Sequence, residues 1–254
     1  MATTAKEQAQ ELIASLQNEE ARHQVLTHLA TPHHTPTQAA TPDHTLIKLC
    51  GLRTAEEIKL CNELNVDMVG LVLFPQSKRY IEPEQAWHLK RLLKPSIKAV
   101  GVVVDEPLDK VIRYVYEGTI DHVQLHGHED EGYIRTLRVF LPAGVRIIKA
   151  FSVSSPDDIT AAANSSADAV LLDSGKGGTG EPFDWRLAAS KLTRPFILAG
   201  GLTPETVATG ITTCHPLGVD VSSGIEVDDV TQPGVKDLEK MRRFVAAVRA
   251  TAQD

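Results

Sequence analysis

The sequence predicts an α/β fold, a TIM (β/α)8 barrel, preceded by an N-terminal helical extension and a linker. Short runs rich in Val, Ile and Leu alternate with helical stretches from Leu46 onward, which is typical of parallel strands joined by crossover helices. Eight such units fit into about 210 residues, which is the usual number and size for this barrel. The glycine-rich turns follow the late strands, whereas an open doubly wound sheet, the alternative fold, usually carries its glycine-rich turn after the first strand.

Each strand–helix unit can be read from its periodicity and its turn residues. The predicted strands are residues 46–50, 68–74, 97–104, 122–126, 146–151, 168–173, 195–200 and 218–223. The predicted helices are residues 54–64, 83–93, 108–117, 130–140, 155–164, 184–192, 204–211 and 236–250.

The N-terminal section differs in composition from the barrel. Residues 1–30 are predicted to form a helical extension, residues 31–45 a flexible linker, and residues 46–254 the (β/α)8 catalytic domain. The extension has apolar residues near one helical face, interrupted by Glu19 and Glu20. The linker is rich in Thr, Pro and His, and its histidines have no fourth ligand beside them, so we expect no metal site there.

Charge and cysteine content limit the class of partner and the compartment. A net charge of −7 argues against a nucleic-acid partner, which requires a basic surface. Three cysteines without C-x-x-C spacing suggest neither a disulfide framework nor a zinc site, and they fit a reducing compartment. The N-terminus lacks the apolar core of a secretory signal, and no apolar run approaches the length of about 18 residues that spans a membrane. We therefore expect a cytoplasmic protein without a membrane partner.

Candidate catalytic residues are sought at the C-terminal ends of the strands, where active sites of such barrels lie. Cys50 ends the first strand and Asp173 the sixth, and these ends would face each other across the barrel mouth. A thiolate can accept a proton and a carboxylic acid can donate one, provided that the pKa of Cys50 is lowered and that of Asp173 raised. A buried cysteine can also be a small apolar residue, which is our interpretation of Cys61 and Cys214.

Two turns after the seventh and eighth strands are candidates for a phosphate site. Thr203 and Pro204 are predicted to begin a helix, and free N–H groups at such an end attract anions. Both turns could simply be tight βα connections, but barrels frequently hold a phosphate between these two loops. The candidate phosphate-binding residues are Gly201, Ser222, Ser223 and Gly224.

Two loops complete the candidate site. Arg79 follows the second strand, where a guanidinium could hold a carboxylate through two hydrogen bonds, although a solvated surface arginine fits the position equally well. Residues 174–182 after Asp173 are glycine-rich and are predicted to form a lid or wall, with Phe183 and Trp185 anchoring its far end.

Seven stretches from Leu46 to the C-terminus carry a resemblance to a known family. In order they are IKLCGLRTAEE, GLVLFPQSKRYI, VGVVVDE, VQLHG, LLDSGKGGTGEPFDW, LAGGLTPETV and GVDVSSGIE with GVKDLEKMRRFV. Together they resemble the phosphoribosylanthranilate isomerases of tryptophan biosynthesis. The resemblance implies a TIM barrel that converts N-(5-phosphoribosyl)anthranilate, an aminoaldose, into the corresponding 1-deoxyribulose 5-phosphate by an Amadori rearrangement, with no metal or organic cofactor.

The resemblance also implies roles for the candidate residues. Asp173 would be the general acid that protonates the ribose ring oxygen, and Cys50 the general base that takes the proton from C2. Arg79 would hold the anthranilate carboxylate, and the late turns the phosphate. Asp220 is expected to reach a sugar hydroxyl.

Two positions depart from the family pattern. Lys78 stands where the family often has Pro, which would make the arginine loop less rigid. Asp105 stands where the family often has Asn; it would either weaken binding of an anionic substrate or be a solvated rim residue, and we favour the latter.

Other functions remain open at this point. A dual-substrate barrel that also serves histidine biosynthesis would have an acid at the ends of the first and fifth strands, where this chain has Cys50 and Phe151. A non-catalytic, phosphate-binding barrel would be favoured if Cys50 or Asp173 were lost. For the extension, the hypotheses are a flexible tail, a self-association helix, and a docking helix for another enzyme of the pathway.

Overall fold

The computed structural model describes residues 43–174, Leu192 and residues 194–251, together with four separate residues of the extension, Ala14, Glu19, His23 and Thr27. In this part of the chain, eight parallel strands close into a barrel in which each strand pairs with its neighbours in chain order. The first strand closes the barrel on the eighth, with Leu46 opposite Gly218 and Leu49 opposite Val221. The predicted fold class is confirmed.

The strands are short and fall within the predicted runs, except that β5 and β6 continue past the predicted ends by two residues and one residue. Their inner and outer faces are both covered, which explains the nearly continuous apolar sequence. They are β1 (Leu46–Cys50), β2 (Met68–Val72), β3 (Lys98–Val103), β4 (His122–Leu125), β5 (Ile147–Val153), β6 (Ala169–Ser174), β7 (Phe196–Leu198) and β8 (Gly218–Val221).

The helices in the described part of the chain surround the barrel. They are α1 (Ala55–Leu64), α2 (Pro83–Lys90), α3 (Leu108–Tyr116), α4 (Glu131–Phe140), α5 (Pro156–Asn164), α6 (Val207–Cys214) and α7 (Leu238–Ala250). Helix α1 begins as predicted, because Thr54 accepts the N–H of Glu57 while the Glu57 side chain accepts the N–H of Thr54. The predicted helix at 184–192 and the predicted lid at 174–182 lie outside the described residues, except for Ser174 and Leu192.

Helix α6 begins at Val207, three residues later than predicted. The Oγ1 of Thr206 accepts the N–H of Thr203 at 2.9 Å, and the Oγ1 of Thr203 accepts the N–H of Glu205 at 3.2 Å. These side-chain bonds hold residues 203–206 in a turn, so the regular helix starts after it.

The barrel interior is divided into an apolar floor and a polar upper layer. Side chains that point inward from five strands form the floor, and all of them are buried: Met68, Val100, Ile148, Leu171 and Ile197. Above them, Cys50 of β1 packs with Val72 of β2 and Val102 of β3. Three buried polar side chains also point inward: Lys48 of β1, Gln124 of β4 and Asp220 of β8. The polar groups therefore meet at the C-terminal mouth, over a dry base.

The N-terminal assignments are largely untested. The four described residues of the extension are helical and exposed, and the boundaries at residues 30 and 45 remain predictions. Among the described residues, no helix is both long enough and apolar enough to cross a membrane. The three cysteines are buried and form no disulfide there.

Candidate active site

The C-terminal ends of the strands surround a cavity of about 360 Å³. It brings together most of the residues that the sequence predicts, and it adds Gln124 and His126 from the end of β4. The predicted residues that line it are Cys50, Arg79, Asp173, Gly201, Asp220, Ser222 and Ser223.

Cys50 lies at the end of β1 with 7% of its surface exposed. Its register partner on β2 is Gly70, where an added Cβ would lie 2.4 Å from the Cys50 Sγ, so the glycine makes room for the thiol. Burial raises the pKa of the Cys50 thiol, and the nearby Lys48 and Lys236 ammonium groups only partly counteract it. The pKa of Cys50 is thus raised in this structure, contrary to the lowered pKa expected from the sequence for a general base.

Lys48 and Asp220 form a buried ion pair beside Cys50. They are register partners on β1 and β8, and the Lys48 Nζ donates to the Asp220 Oδ1 at 2.9 Å. Burial acts to lower the pKa of Lys48, but Asp220 and Cys50 outweigh it, and the net shift of the pKa is upward. Lys48 therefore stays charged, and Asp220 has a fixed partner while it lines the cavity.

His126 lies between Gln124 and Asp173. The Gln124 Nε2 donates to the His126 Nδ1 at 3.0 Å, and the His126 Nε2 lies 3.7 Å from the Asp173 Oδ2. Burial lowers the pKa of His126, which favours the neutral ring. Because an amide nitrogen can only donate, the ring proton is on Nε2 and faces Asp173.

Gln124 and His126 are functional residues that the sequence prediction missed. Their spacing of two places both on the inner face of β4, where most other strands carry apolar side chains. Two polar residues in that pattern were the available signal.

Arg79 has one part of its guanidinium anchored and one part unpaired. Its Nε donates to the Glu226 Oε1 at 2.5 Å, whereas its buried Nη2 has no hydrogen-bond partner among the described residues. The side chain is only 16% exposed. The solvated alternative for Arg79 is therefore wrong, and a donor is available to a ligand in the cavity.

Glu226 is surrounded by three cations. Besides Arg79, it contacts the Lys78 Nζ at 3.0 Å and the Lys236 Nζ at 3.3 Å. Burial acts to raise the pKa of Glu226, but hydrogen bonds from Arg79 and Lys78 and the charge of Lys236 lower it to about 2. Lys78 thus ties the arginine loop to Glu226, and its backbone oxygen also accepts from Arg53 Nη1 at 3.1 Å. These contacts hold the loop at the position where the family often has Pro.

The turns after β7 and β8 pack directly against each other. An added Cβ at Gly224 would lie 1.9 Å from the Leu202 backbone oxygen, so only glycine fits there. Within the described ranges, the backbone N–H groups of Gly201, Ser223 and Gly224 donate no hydrogen bond. Unpaired N–H groups on two adjoining turns are suited to an anion.

Lys236 connects the second of these turns to the catalytic strand. Its Nζ donates to the Ser222 backbone oxygen at 2.9 Å, and the Ser222 Oγ donates to the Cys50 backbone oxygen at 3.1 Å. Burial lowers the pKa of Lys236 to about 8, although Glu226 opposes this.

Asp105 is a rim residue, as favoured from the sequence. It has a φ of 49°, and its carboxylate accepts from the His128 backbone N–H at 2.5 Å and contacts the His128 Nδ1 at 2.9 Å. These hydrogen bonds lower its pKa. Asp105 does not belong to the described lining of the cavity.

Comparison with known proteins identifies one family. Residues 47–247 match a family model described as N-(5′-phosphoribosyl)anthranilate (PRA) isomerase. The N-(5′-phosphoribosyl)anthranilate isomerase of Geobacter sp. strain M21 is 41% identical over 210 residues, which are 81% of this chain and 98% of that protein. The same enzyme from Caldanaerobacter subterraneus is 40% identical over 208 residues, 80% of this chain and 97% of that protein.

Solved structures of the same enzyme resemble the barrel. Phosphoribosyl anthranilate isomerase of Thermotoga maritima superposes with a TM-score of 0.74 at 34% identity, covering 81% of this chain and 99% of that chain. A second one, in complex with reduced 1-(o-carboxyphenylamino)-1-deoxyribulose 5-phosphate, gives a TM-score of 0.71 at 33% identity with the same coverage of both chains.

Proposed function

Because the chain belongs to the N-(5′-phosphoribosyl)anthranilate isomerase family, we propose that Cys50 and Asp173 are the general base and the general acid of its reaction. The chain is an isomerase of tryptophan biosynthesis that converts an aminoaldose into an aminoketose. The observation that carries the assignment is that both side chains line one cavity from separate strands, β1 and β6. A substrate between them has an acid on one side and a base on the other.

In the first step, Asp173 gives its proton to the ribose ring oxygen. The bond between C1 and that oxygen breaks, and the nitrogen lone pair forms the C=N bond of an iminium ion. The His126 Nε2, 3.7 Å from Asp173, presents a proton to the carboxylate that results. This arrangement stabilises the negative charge that the acid acquires.

In the second step, the Cys50 thiolate removes the proton from C2. The electron pair of the C2–H bond forms the C=C bond of an enolamine and neutralises the iminium. Lys48 and Lys236 supply positive charge that stabilises the thiolate and partly offsets the effect of burial on the pKa of Cys50. The enolamine then tautomerises to the ketone, as its 2-hydroxyl loses a proton and C1 gains one.

Three further groups hold the substrate. The unpaired Nη2 of Arg79 supports a hydrogen bond to the anthranilate carboxylate. The N–H groups of Gly201 and Ser223 in the cavity lining, with Ser222 beside them, form the phosphate site, and the N–H of Gly224, which lies outside the described lining, adjoins it. Asp220, held by Lys48, accepts a hydrogen bond from a sugar hydroxyl. The chemical steps move protons between the enzyme and the substrate and electron pairs within the substrate, so the proposed reaction uses no organic cofactor or metal.

We assign the extension and the location in the same way. One solved relative from Thermotoga maritima is described as dimeric, and residues 1–30 of this chain are proposed to serve self-association or docking to another enzyme of the pathway. If the extension serves self-association, a chain beginning at Pro42 should elute from a sizing column later than its shortened length alone explains. If the extension serves docking, that chain should no longer bind the other enzyme. In both cases its turnover should be unchanged. Buried cysteines without disulfides support a reducing location, the cytoplasm.

The catalytic assignment is tested with freshly prepared phosphoribosylanthranilate, whose fluorescence falls as it reacts. We expect Cys50→Ala and Asp173→Asn each to lower kcat by about a thousandfold or more, as removal of an essential acid or base does. Cys61→Ala is the matched control, because Cys61 is a buried thiol in α1 whose pKa burial raises to about 12. Circular dichroism should show the same fold in all variants. Turnover close to wild type in either catalytic variant would refute its assigned role.

A further inference from the structure

Two buried side-chain atoms mark the cavity. Among the described residues, the buried side-chain nitrogen and oxygen atoms that lack a hydrogen-bond partner are the Arg79 Nη2 and the Gln124 Oε1. Both side chains line the cavity. Buried polar groups in proteins are nearly always paired, so each of these atoms calls for a partner that the described part of the chain does not supply.

Gln124 is held firmly at its amide nitrogen. It is 1% exposed on the inner face of β4, opposite Val102 of β3 and Ile148 of β5. The Nε2 is used by His126 at 3.0 Å, which orients the carboxamide and leaves its oxygen unpaired. Val72, Val102 and other apolar side chains make up much of the nearby lining and offer no donor.

The chemistry of the oxygen selects one part of the substrate. A carboxamide oxygen only accepts hydrogen bonds. The phosphate and the carboxylate of the substrate are themselves acceptors, and donors meet both: the N–H groups after β7 and β8, and the Arg79 Nη2. The anilino N–H is engaged by its own ortho carboxylate. The sugar hydroxyls are the donors that remain.

We infer that the Gln124 Oε1 accepts a hydrogen bond from a hydroxyl group of the sugar, so that Gln124 is a substrate-binding residue that reads the sugar. This inference rests on the proposed function. Arg79 and Gln124 then form a complementary pair, one unpaired donor for the anionic aromatic end and one unpaired acceptor for the hydroxylated centre. A site with a buried polar group discriminates strongly against a ligand that lacks the matching group.

The test uses two probes and three variants. The first probe is reduced 1-(o-carboxyphenylamino)-1-deoxyribulose 5-phosphate, which carries the sugar hydroxyls, and the second is inorganic phosphate, which has none. In calorimetric titrations, Gln124→Met should raise the Kd of the first probe by about 10- to 100-fold, the usual effect of deleting one partner of a buried hydrogen bond. It should leave the Kd of phosphate unchanged. Gln124→Glu, which keeps an acceptor oxygen, should raise the Kd of the first probe by a smaller factor. Gln85→Leu, on the exposed face of α2, should leave that Kd unchanged.

A double-mutant cycle separates this role from an effect through His126. Gln124→Met should weaken binding of the reduced analogue in a His126→Ala background as well, because the oxygen contacts the sugar directly. No additional loss in that background would mean that Gln124 acts only by holding His126, and would overturn the inference.

The remaining outcomes are also decisive. If wild type binds the analogue and Gln124→Met binds it equally well, the inference is wrong. If wild type neither binds the analogue nor consumes phosphoribosylanthranilate, the proposed function fails first. If Gln124→Met does not fold, a crystal structure of the wild-type complex decides, with a sugar hydroxyl expected about 3 Å from the Gln124 Oε1. A hydroxyl-free environment around that oxygen would contradict the inference.

Discussion

Two buried glutamates at the barrel mouth have opposite surroundings. Glu226, after β8, contacts three cations, and the Nη2 of Arg79 has no hydrogen-bond partner in the described part of the chain. Glu129, after β4, contacts one cation, Lys149, at 2.8 Å, and uses its remaining capacity on the backbone N–H groups of Asp105 and Gly127, each at 2.9 Å. The first cluster has surplus positive charge and a spare donor, whereas the second is balanced and saturated.

The difference separates a binding site from a structural one. The Glu129 cluster joins the loops after β3 and β4 to Lys149 of β5 and satisfies its own groups, so a ligand would gain little from it. The Glu226 cluster keeps a charged donor, the Arg79 Nη2, that no described residue pairs with, so an anionic acceptor would gain from it. Both clusters are buried and charged, and they differ in whether their hydrogen-bonding groups all have partners among the described residues.

The largest effect on binding is expected at Arg79. Arg79→Met removes the spare donor and the contact with Glu226, so KM for phosphoribosylanthranilate should rise by about 100-fold or more, as for loss of a buried charge-assisted hydrogen bond. Steady-state fluorescence assays would measure it. Arg53→Met is the control, because Arg53 donates to the Lys78 backbone from outside the cavity lining. An unchanged KM would refute the proposed contact between Arg79 and the substrate carboxylate.

A smaller effect is expected at Glu226. Glu226→Gln keeps the shape but loosens Arg79, and KM should rise by about 10-fold, the cost of one charge-assisted hydrogen bond. The pKa of Glu226 is lowered to about 2 in the folded protein. Its contribution to stability is therefore complete above its ordinary pKa and disappears as pH falls toward 2.

The pH dependence gives a second measurement on the same variant. The difference in Tm between wild type and Glu226→Gln should be constant from pH 7 to about pH 5 and should shrink as pH falls below that, since the ordinary pKa is near 4.5. A difference that stays constant down to pH 3 would disprove the lowered pKa.

Lys236 is expected to affect the reactivity of the thiol. Lys236→Gln removes a cation that lowers the pKa of Cys50, so alkylation of Cys50 by iodoacetamide at pH 7.5 should slow by about fivefold, in line with a modest rise of the thiol pKa. Lys240→Gln is the matched control, because Lys240 donates to the backbone oxygen of Glu226 and to the exposed Asp228. In wild type the same rate should rise less steeply with pH above about 8, where Lys236 loses its proton.

The smallest effect on KM is expected at the saturated cluster. Glu129→Gln leaves Lys149 buried without its counter-ion, so the free energy of unfolding should fall by about 3 to 5 kcal/mol. KM should change by less than about threefold, because Glu129 does not contact the substrate and substitutions away from a ligand have small effects. Urea denaturation and steady-state kinetics on the same preparation would measure both. A KM increase equal to that of Arg79→Met would contradict the interpretation of the Glu129 cluster as structural.

The sequence predicts the strands and their order well because each strand is a local apolar run between turn residues. Cys50, Asp173 and Arg79 are predicted because active-site residues of this architecture lie at strand ends and in the loops after them, whereas Asp220 is predicted only through the family resemblance. The partners of these residues were not found. Lys48 and Asp220 are 172 positions apart in the chain and meet only because β1 closes on β8.

The missed residues share this dependence on closure. Lys236 and Glu226 lie in a loop whose path over Ser222 has no local signal. The late start of α6 reflects side-chain bonds of Thr203 and Thr206 that compete with the helix. The raised pKa of Cys50 likewise follows from its burial depth, which depends on Gly70 of the neighbouring strand.

The most direct test of the central claim is a side-by-side calorimetric titration of the reduced analogue into wild type, Arg79→Met and Glu129→Gln. The claim is that unsatisfied groups, rather than buried charge as such, mark the substrate site. We predict that Arg79→Met raises the Kd by about 100-fold or more while Glu129→Gln changes it by less than about threefold. Equal weakening in both variants would contradict it.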